Sequence, residues 1–178
     1  MTDKTRYRAF KRDELTPEQQ TVFDAIGGPR SGVVPAPFHV LLESPELASL
    51  TQALGAFCRY RTGFPPPLSE LLVLITASHW KAEFEFTVHA REAAKAGIAE
   101  SIIEALRAGR LPDFADAESK LLYDFVTTFF VARDVPDDLF ARAVAQFGRR
   151  RVVELTGVLG YYSSLAILLR VFRVPADA

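Results

Sequence analysis

Glu85 and His89 stand four residues apart in Ala82-Glu83-Phe84-Glu85-Phe86-Thr87-Val88-His89. On an α-helix, which advances about 100° per residue, that spacing makes them neighbours on one surface. Ala82, Phe86, Ala93 and Gly97 fall on one side of this helix, and Glu83, Thr87, Arg91 and Lys95 on the other. His89 sits in the middle of the apolar side and Glu85 at its edge. A carboxylate and an imidazole that half-face a core lose hydration, so each needs a partner. They can partner each other, and such a pair moves protons: the carboxylate fixes the imidazole tautomer and stabilises the imidazolium. Two other readings fit the pattern. The pair is a structural contact that satisfies itself, or Glu85, His89, His79 and Glu83 ligate a metal. Against the metal, the spacing is not His-Glu-x-x-His and Glu83 projects to the polar side. Glu70, set among Leu68, Leu71, Leu72 and Leu74, is the other candidate; alternatively it is a first-turn acid favoured by the helix dipole after Pro67.

Helices must position these groups. Thr16-Pro17-Glu18-Gln19 reads as a capping box and opens a first helix, with Val22, Phe23 and Ile26 as its stripe and Gly27-Gly28-Pro29 as its stop. Pro35-Ala36-Pro37 predicts an extended stretch. Ser44-Pro45-Glu46 opens another helix, with Leu47, Leu50, Leu54 and Phe57 at helical spacing, until Gly63-Phe64-Pro65-Pro66-Pro67 breaks the chain. Leu68 to about Trp80 is too long and too little punctuated for a strand and reads as a buried helix. The Glu85–His89 helix runs from about Ala82 to Ala96 and stops at Gly97. Shorter helices follow at about 99–108, 116–132 and 137–147, and a long apolar helix covers about 150–172. No two-residue hairpin turn joins alternating apolar runs, so the expected class is all-α. The expected organisation is an N-terminal arm with one helix over 1–36 and a helical domain over 37–178, with residues 1–15 wrapping the surface.

Composition narrows the functions. The 178 residues suit one compact domain, and 49% hydrophobic with 24% charged residues is an ordinary globular balance. A net charge of −1 lacks the basic excess of a nucleic-acid binder. Arg149-Arg150-Arg151 reads as a solvated or ion-paired helix start. Cys58, the single cysteine, cannot form an internal disulfide or run a dithiol cycle alone, and reads as a small buried hydrophobe. The first residues carry no apolar signal segment, and the C-terminal apolar run is interrupted by Arg170 and Arg173 and reads as too short for a bilayer. A cytoplasmic protein without membrane or nucleic-acid partners is the expectation.

The segment Glu70-Leu71-Leu72-Val73-Leu74-Ile75-Thr76-Ala77-Ser78-His79-Trp80-Lys81-Ala82-Glu83-Phe84-Glu85-Phe86-Thr87-Val88-His89 resembles the signature region of the carboxymuconolactone decarboxylase family, which includes the alkylhydroperoxidase D branch. The resemblance extends through Ala93-Ala94-Lys95-Ala96-Gly97-Ile98, and more loosely to Pro37-Phe38-His39, the stretch Leu41 to Leu47, Val153-Glu154-Leu155 and Tyr161-Tyr162. In the hydroperoxidase branch a glutamate, matching Glu70, precedes a Cys-x-x-Cys, and a histidine, matching His89, follows it. The two cysteines would fall at Ala82 and Glu85, so the thiol peroxidase mechanism does not carry over. The decarboxylase branch also lacks the cysteines and resembles this chain in placing a glutamate four residues before the histidine.

The resemblance implies an alkylhydroperoxidase D-like helical bundle and a cofactor-independent carboxy-lyase. Glu70, Glu85 and His89 would be its catalytic residues, acting on a small carboxylated lactone or related cyclic compound. Arg59, Arg61 and His79 are candidates to bind that substrate, with either arginine able to hold a carboxylate. The alternatives are a non-enzymatic member that binds a small apolar or aromatic ligand, which 14 phenylalanines suit, and, less favoured, a hydroperoxidase using Cys58. The scheme needs no cofactor and no metal. The resemblance also implies a homo-oligomer, trimer or hexamer, and the final helix carries more apolar surface than one core-facing stripe needs.

Overall fold

Local signals start the helices. Thr16 and Gln19 exchange the two hydrogen bonds of a capping box ahead of α1 (Pro17–Gly27). The computed structural model describes residues 6–178. Their further helices are α2 (Ala36–Leu41), α3 (Pro45–Tyr60), α4 (Pro66–Trp80), α5 (Glu83–Lys95), α6 (Glu100–Arg107), α7 (Ala117–Ala132), α8 (Asp137–Phe147) and α9 (Arg149–Val171). No strand occurs among the described residues, so the all-α expectation holds.

One local expectation needs correction. Pro35-Ala36-Pro37 is not an extended stretch. Only Pro35 is extended, at φ −64° and ψ 148°, and α2 begins directly after it. Pro37 sits in the first helical turn, where the missing N–H has no intrahelical partner to lose. The Leu47, Leu50 and Leu54 stripe of α3 has the spacing of a core face but lies outward, 47–63% exposed. Residues 6–15 do cross the surface: the Arg6 N–H donates to the Phe172 carbonyl and the Phe10 N–H to His39 Nδ1. The same expectation for residues 1–5 lies outside the described residues.

The centre of the fold is α4. Leu71 through Ala77 are all buried, so this helix is apolar on every side and must be surrounded. It packs against α5, α7 and α9. Lys81, in the left-handed region at φ 51°, ends α4, and the Ala82 N–H donates to the Ala77 carbonyl. The chain then turns back as α5 and forms a helical hairpin with α4.

The 23 residues of α9 are long and apolar enough to cross a membrane, so shortness is not what distinguishes this helix. Its apolar residues are used differently: Leu155, Val158, Leu165 and Leu169 are buried in the fold against α4. At its start, buried Glu154 accepts from the Gly63 N–H at 2.7 Å and from Arg150 Nε at 2.8 Å, fastening the proline-rich break to α9. The arginine run is thus partly ion-paired, as its sequence suggests.

Candidate active site

The α4–α5 hairpin brings the two motif ends together. Glu70 leaves α4 near its start, where its Oε2 lies 2.7 Å from His89 Nδ1. A carboxylate only accepts, so the Nδ1–H donates to Glu70 and Nε2 is left as the reactive nitrogen. On that side stands Glu85, with Oε2 3.5 Å from His89 Nε2. This exceeds an ordinary hydrogen bond and sits within ion-pair range. Both side chains are deeply buried, at 4% and 7% exposure, whereas Glu70 retains 13%. One imidazole therefore bridges two carboxylates in unlike surroundings.

Burial sets the Glu85 carboxyl apart from an exposed glutamate. Burial pushes the Glu85 carboxyl above its ordinary value, opposed by the nearby His89 and Arg59. Glu85 thus keeps its proton to higher pH than an exposed glutamate and is suited to be an acid. This has a stability signature. The folded state binds more protons than the unfolded state between the ordinary glutamate value and the raised one, so stability falls as pH rises through that window. Glu85→Gln is expected to lack this fall, so urea unfolding against pH should show the variant gaining on the wild type from acid towards neutral pH. Parallel curves would contradict a raised Glu85.

A cavity of about 110 Å³ opens onto this pair. Besides Glu85 and His89 its wall includes Gln52, Gly55 and Arg59 from α3 and Tyr161 and Tyr162 from α9. The Tyr162 ring meets His89 edge-on, with centroids 5.1 Å apart, and blocks rotation of the imidazole. Arg30 donates to the Ile26 carbonyl and to Gln52 Oε1, which leaves the Gln52 amide N–H groups as the free donors of that side chain. The volume is below the roughly 300–1,000 Å³ of pockets for drug-sized ligands, so it suits a small compound.

The structure divides the six residues singled out from sequence. Glu70, Glu85 and His89 converge, and Arg59 lines their cavity. Arg61 does not: it is exposed, its guanidinium lies over the Phe57 ring and it reaches the Ala53 carbonyl at 3.5 Å. His79 stacks flat on Phe130 at 4.0 Å and lies nine residues along α4 from Glu70, about 13 Å at the helical rise. Glu83 turns outward to an ion pair with Arg107. His79 and Glu83 therefore cannot join Glu85 and His89 as ligands of one metal, and among the described residues no group of three or more metal-ligating side chains occurs. Tyr161, Tyr162, Gln52 and Arg30 were not anticipated as site residues. Their one available signal was two adjacent tyrosines on an otherwise mostly aliphatic stretch of α9.

Cys58 is buried beside the site, and desolvation pushes its thiol up to about 11. Such a thiol is a poor nucleophile at neutral pH. We expect iodoacetamide to label the native protein about 10²-fold more slowly than the unfolded chain, following the loss of thiolate. Fast native labelling, read by mass spectrometry, would contradict that environment.

Size alone would point elsewhere. A cavity of about 580 Å³ between α7, α8 and α9 is walled by Trp80, Phe125, Phe129, Phe130 and Phe140. It lacks a carboxylate–imidazole pair, and Trp80 Nε1 donates to its Ser163 hydroxyl.

The chain matches no protein-family model and no curated protein. It is similar in structure to an uncharacterized peroxidase-related protein from Silicibacter sp. TM1040, with a TM-score of 0.77 and 15% identity over 97% of this chain and 93% of that one. It is equally similar to a variant of the debrominase Bmp8 in complex with 2,3,4-tribromopyrrole, with a TM-score of 0.77 and 14% identity over 100% of this chain and 95% of that one. At these identities the likeness shows the fold alone, a single-domain, all-helical bundle.

Proposed function

We propose that the protein is a cofactor-independent carboxy-lyase acting on a small carboxylated lactone through His89, Glu85 and Glu70. The observation that carries this is His89 bridging Glu70 at 2.7 Å and Glu85 at 3.5 Å on the wall of a small cavity. In an α,β-unsaturated lactone with a carboxylate at the γ carbon, the bond to that carboxylate breaks and carbon dioxide leaves. The released electron pair moves through the ring double bond to the lactone carbonyl oxygen. The α carbon then takes a proton from the Glu85–His89 pair, water restores that proton, and the ring double bond ends one position over. Glu70 holds the imidazole tautomer, Glu85 is the acid, and Arg59 holds a carboxylate that the substrate keeps. That one neighbour of the same fold is a debrominase supports an enzymatic reading, and the absence of cysteines at 82 and 85 turns it away from thiol chemistry.

The working form is proposed to be a homo-oligomer. The exposed Leu47, Leu50 and Leu54 of α3, with Val153, Ile167 and Val171 of α9, are the surfaces it would cover.

The test is ultraviolet-monitored consumption of γ-carboxymuconolactone by the wild type in metal-free buffer, with release of carbon dioxide measured alongside. Turnover supports the reading, and its absence at high enzyme concentration overturns it. A second reading, binding of an apolar aromatic ligand without catalysis, is favoured by the 580 Å³ aromatic cavity. It predicts saturable binding that survives His89→Ala with no product formed.

A further inference from the structure

Tyr161 reaches the site from α9, far beyond His89 in sequence. Its hydroxyl lies against Gly55 on α3: a methyl group built there would stand 2.2 Å from Tyr161 Oη and 2.6 Å from Cζ. No side chain larger than hydrogen fits at 55 while the phenol keeps this place. Gly55 is inside a helix, where glycine costs about 1 kcal/mol against alanine, and it lies far from any turn. Its one visible service is to admit that hydroxyl. Both residues line the cavity that holds Glu85 and His89. Tyr161 is only 7% exposed, and its ring packs edge-on against Tyr162, which in turn meets His89, so the phenol is held in a fixed direction.

The chemistry of the wall then has two sides. Glu85 and His89 handle the proton, while Arg59, the Gln52 amide and the Tyr161 hydroxyl present donors. Resting on the decarboxylase reading, we infer that Tyr161 is a further catalytic residue whose hydroxyl donates to the lactone carbonyl oxygen as that oxygen gains charge, and that Gly55 is the residue that positions it. When the carbon–carbon bond breaks, the electron pair ends on this oxygen until the α carbon is protonated. A donor already aimed there lowers the barrier without needing to reorganise. Burial also holds the phenol in its protonated form at physiological pH. It serves therefore as a hydrogen-bond donor and not as a base.

The test compares wild type, Tyr161→Phe, Gly55→Ala and the double variant on γ-carboxymuconolactone, with circular dichroism and thermal melting to confirm folding. Calorimetry with butyrolactone-γ-carboxylate, which lacks the ring double bond and cannot react, measures binding alone. Tyr161→Phe is expected to lower kcat about 10²- to 10³-fold with KM and probe affinity within about threefold. Gly55→Ala is expected to lower kcat at least as much, because the added methyl displaces the ring as well as the hydroxyl, and the double variant to be no worse than Gly55→Ala, because the hydroxyl is lost only once. Tyr161→Phe keeps the shape of the site, so it decides the matter even where Gly55→Ala fails to fold. A kcat within about threefold of wild type in Tyr161→Phe overturns the inference and leaves the decarboxylase reading standing. So does a double variant whose loss is the product of the single losses. A wild type inert towards the lactone overturns both.

Discussion

His89→Ala is expected to lower kcat/KM for a γ-carboxylated unsaturated lactone by about 10²- to 10⁴-fold, the span that one positioned proton-transfer group contributes. The reason is geometric. Nε2 is the imidazole nitrogen that Glu70 leaves free, and it is the one that faces Glu85 and the cavity. Removing the ring takes away the proton carrier and also disconnects Glu85 from Glu70. The fold is expected to survive, since the buried ring borders the cavity and not the aliphatic surroundings of α4. The cost is about 1–3 kcal/mol for each of the two carboxyl groups left without its partner, lower at the partly exposed Glu70. Steady-state kinetics beside thermal melting separates the two effects. A variant with full activity would show that the buried pair is a structural contact.

Leu72→Ala is the largest stability loss expected. Leu72 is 0% exposed in α4, the helix that α5, α7 and α9 all pack against. Truncating a leucine in such a place costs about 3–5 kcal/mol, the transfer free energy of the lost methyl groups plus the cavity left behind. Against a typical total of about 5–15 kcal/mol, that is a large fraction of the stability. At about 2–4 °C per kcal/mol for a chain of this size, the melting temperature should fall by roughly 6–20 °C. A fall of less than about 2 °C in calorimetry would mean that α4 is not the central element. Because Leu72 is two residues from Glu70, the surviving folded fraction should also lose activity. His89→Ala, in contrast, should lose activity in protein that is still folded, because it removes the proton carrier itself.

The two variants probe different parts of what the sequence made legible. The Glu85–His89 pair was readable because a single helix decides it: a spacing of four residues on a helix with one apolar side fixes both the contact and the burial. Both residues are indeed buried on α5 with Phe86 and Ala93. Glu70 was visible only as a carboxylate among leucines, and its contact with His89 depends on the hairpin turn at Lys81. That turn sets which residues of α4 and α5 oppose each other. His79 and Arg61 have the right residue types near the motif, but the sequence does not say which way they face from their helix ends. His79 finds Phe130 and Arg61 finds Phe57.

The second wall of the cavity was hidden for another reason. Of this wall only Arg59 was among the candidates; Gln52 and Gly55 belong to α3, and Tyr161 and Tyr162 to α9, so their convergence is a matter of packing between distant helices. Helical periodicity identifies an apolar stripe but not what covers it. On α3 the stripe Leu47, Leu50 and Leu54 faces outward, while Gln52 and Gly55 turn inward to the site. The same limit applies to α9, whose length and apolarity suit a membrane and whose burial in the bundle comes only from the fold. At Pro35-Ala36-Pro37 the difficulty was local: proline forbids a helix interior but favours a first turn, and the chain takes the second option.

The most direct test of the central claim follows the proton. γ-Carboxymuconolactone would be turned over by the wild type in deuterated water and the product read by nuclear magnetic resonance with a chiral solvating agent, which separates the two α-deuterated enantiomers. The account predicts release of carbon dioxide and a product carrying a single deuteron at the α carbon, on one face only, because the Glu85–His89 pair delivers it from one wall. In His89→Ala, the slow residual reaction should deuterate both faces. Deuteration of both faces by the wild type, or consumption of the lactone without release of carbon dioxide, would contradict it.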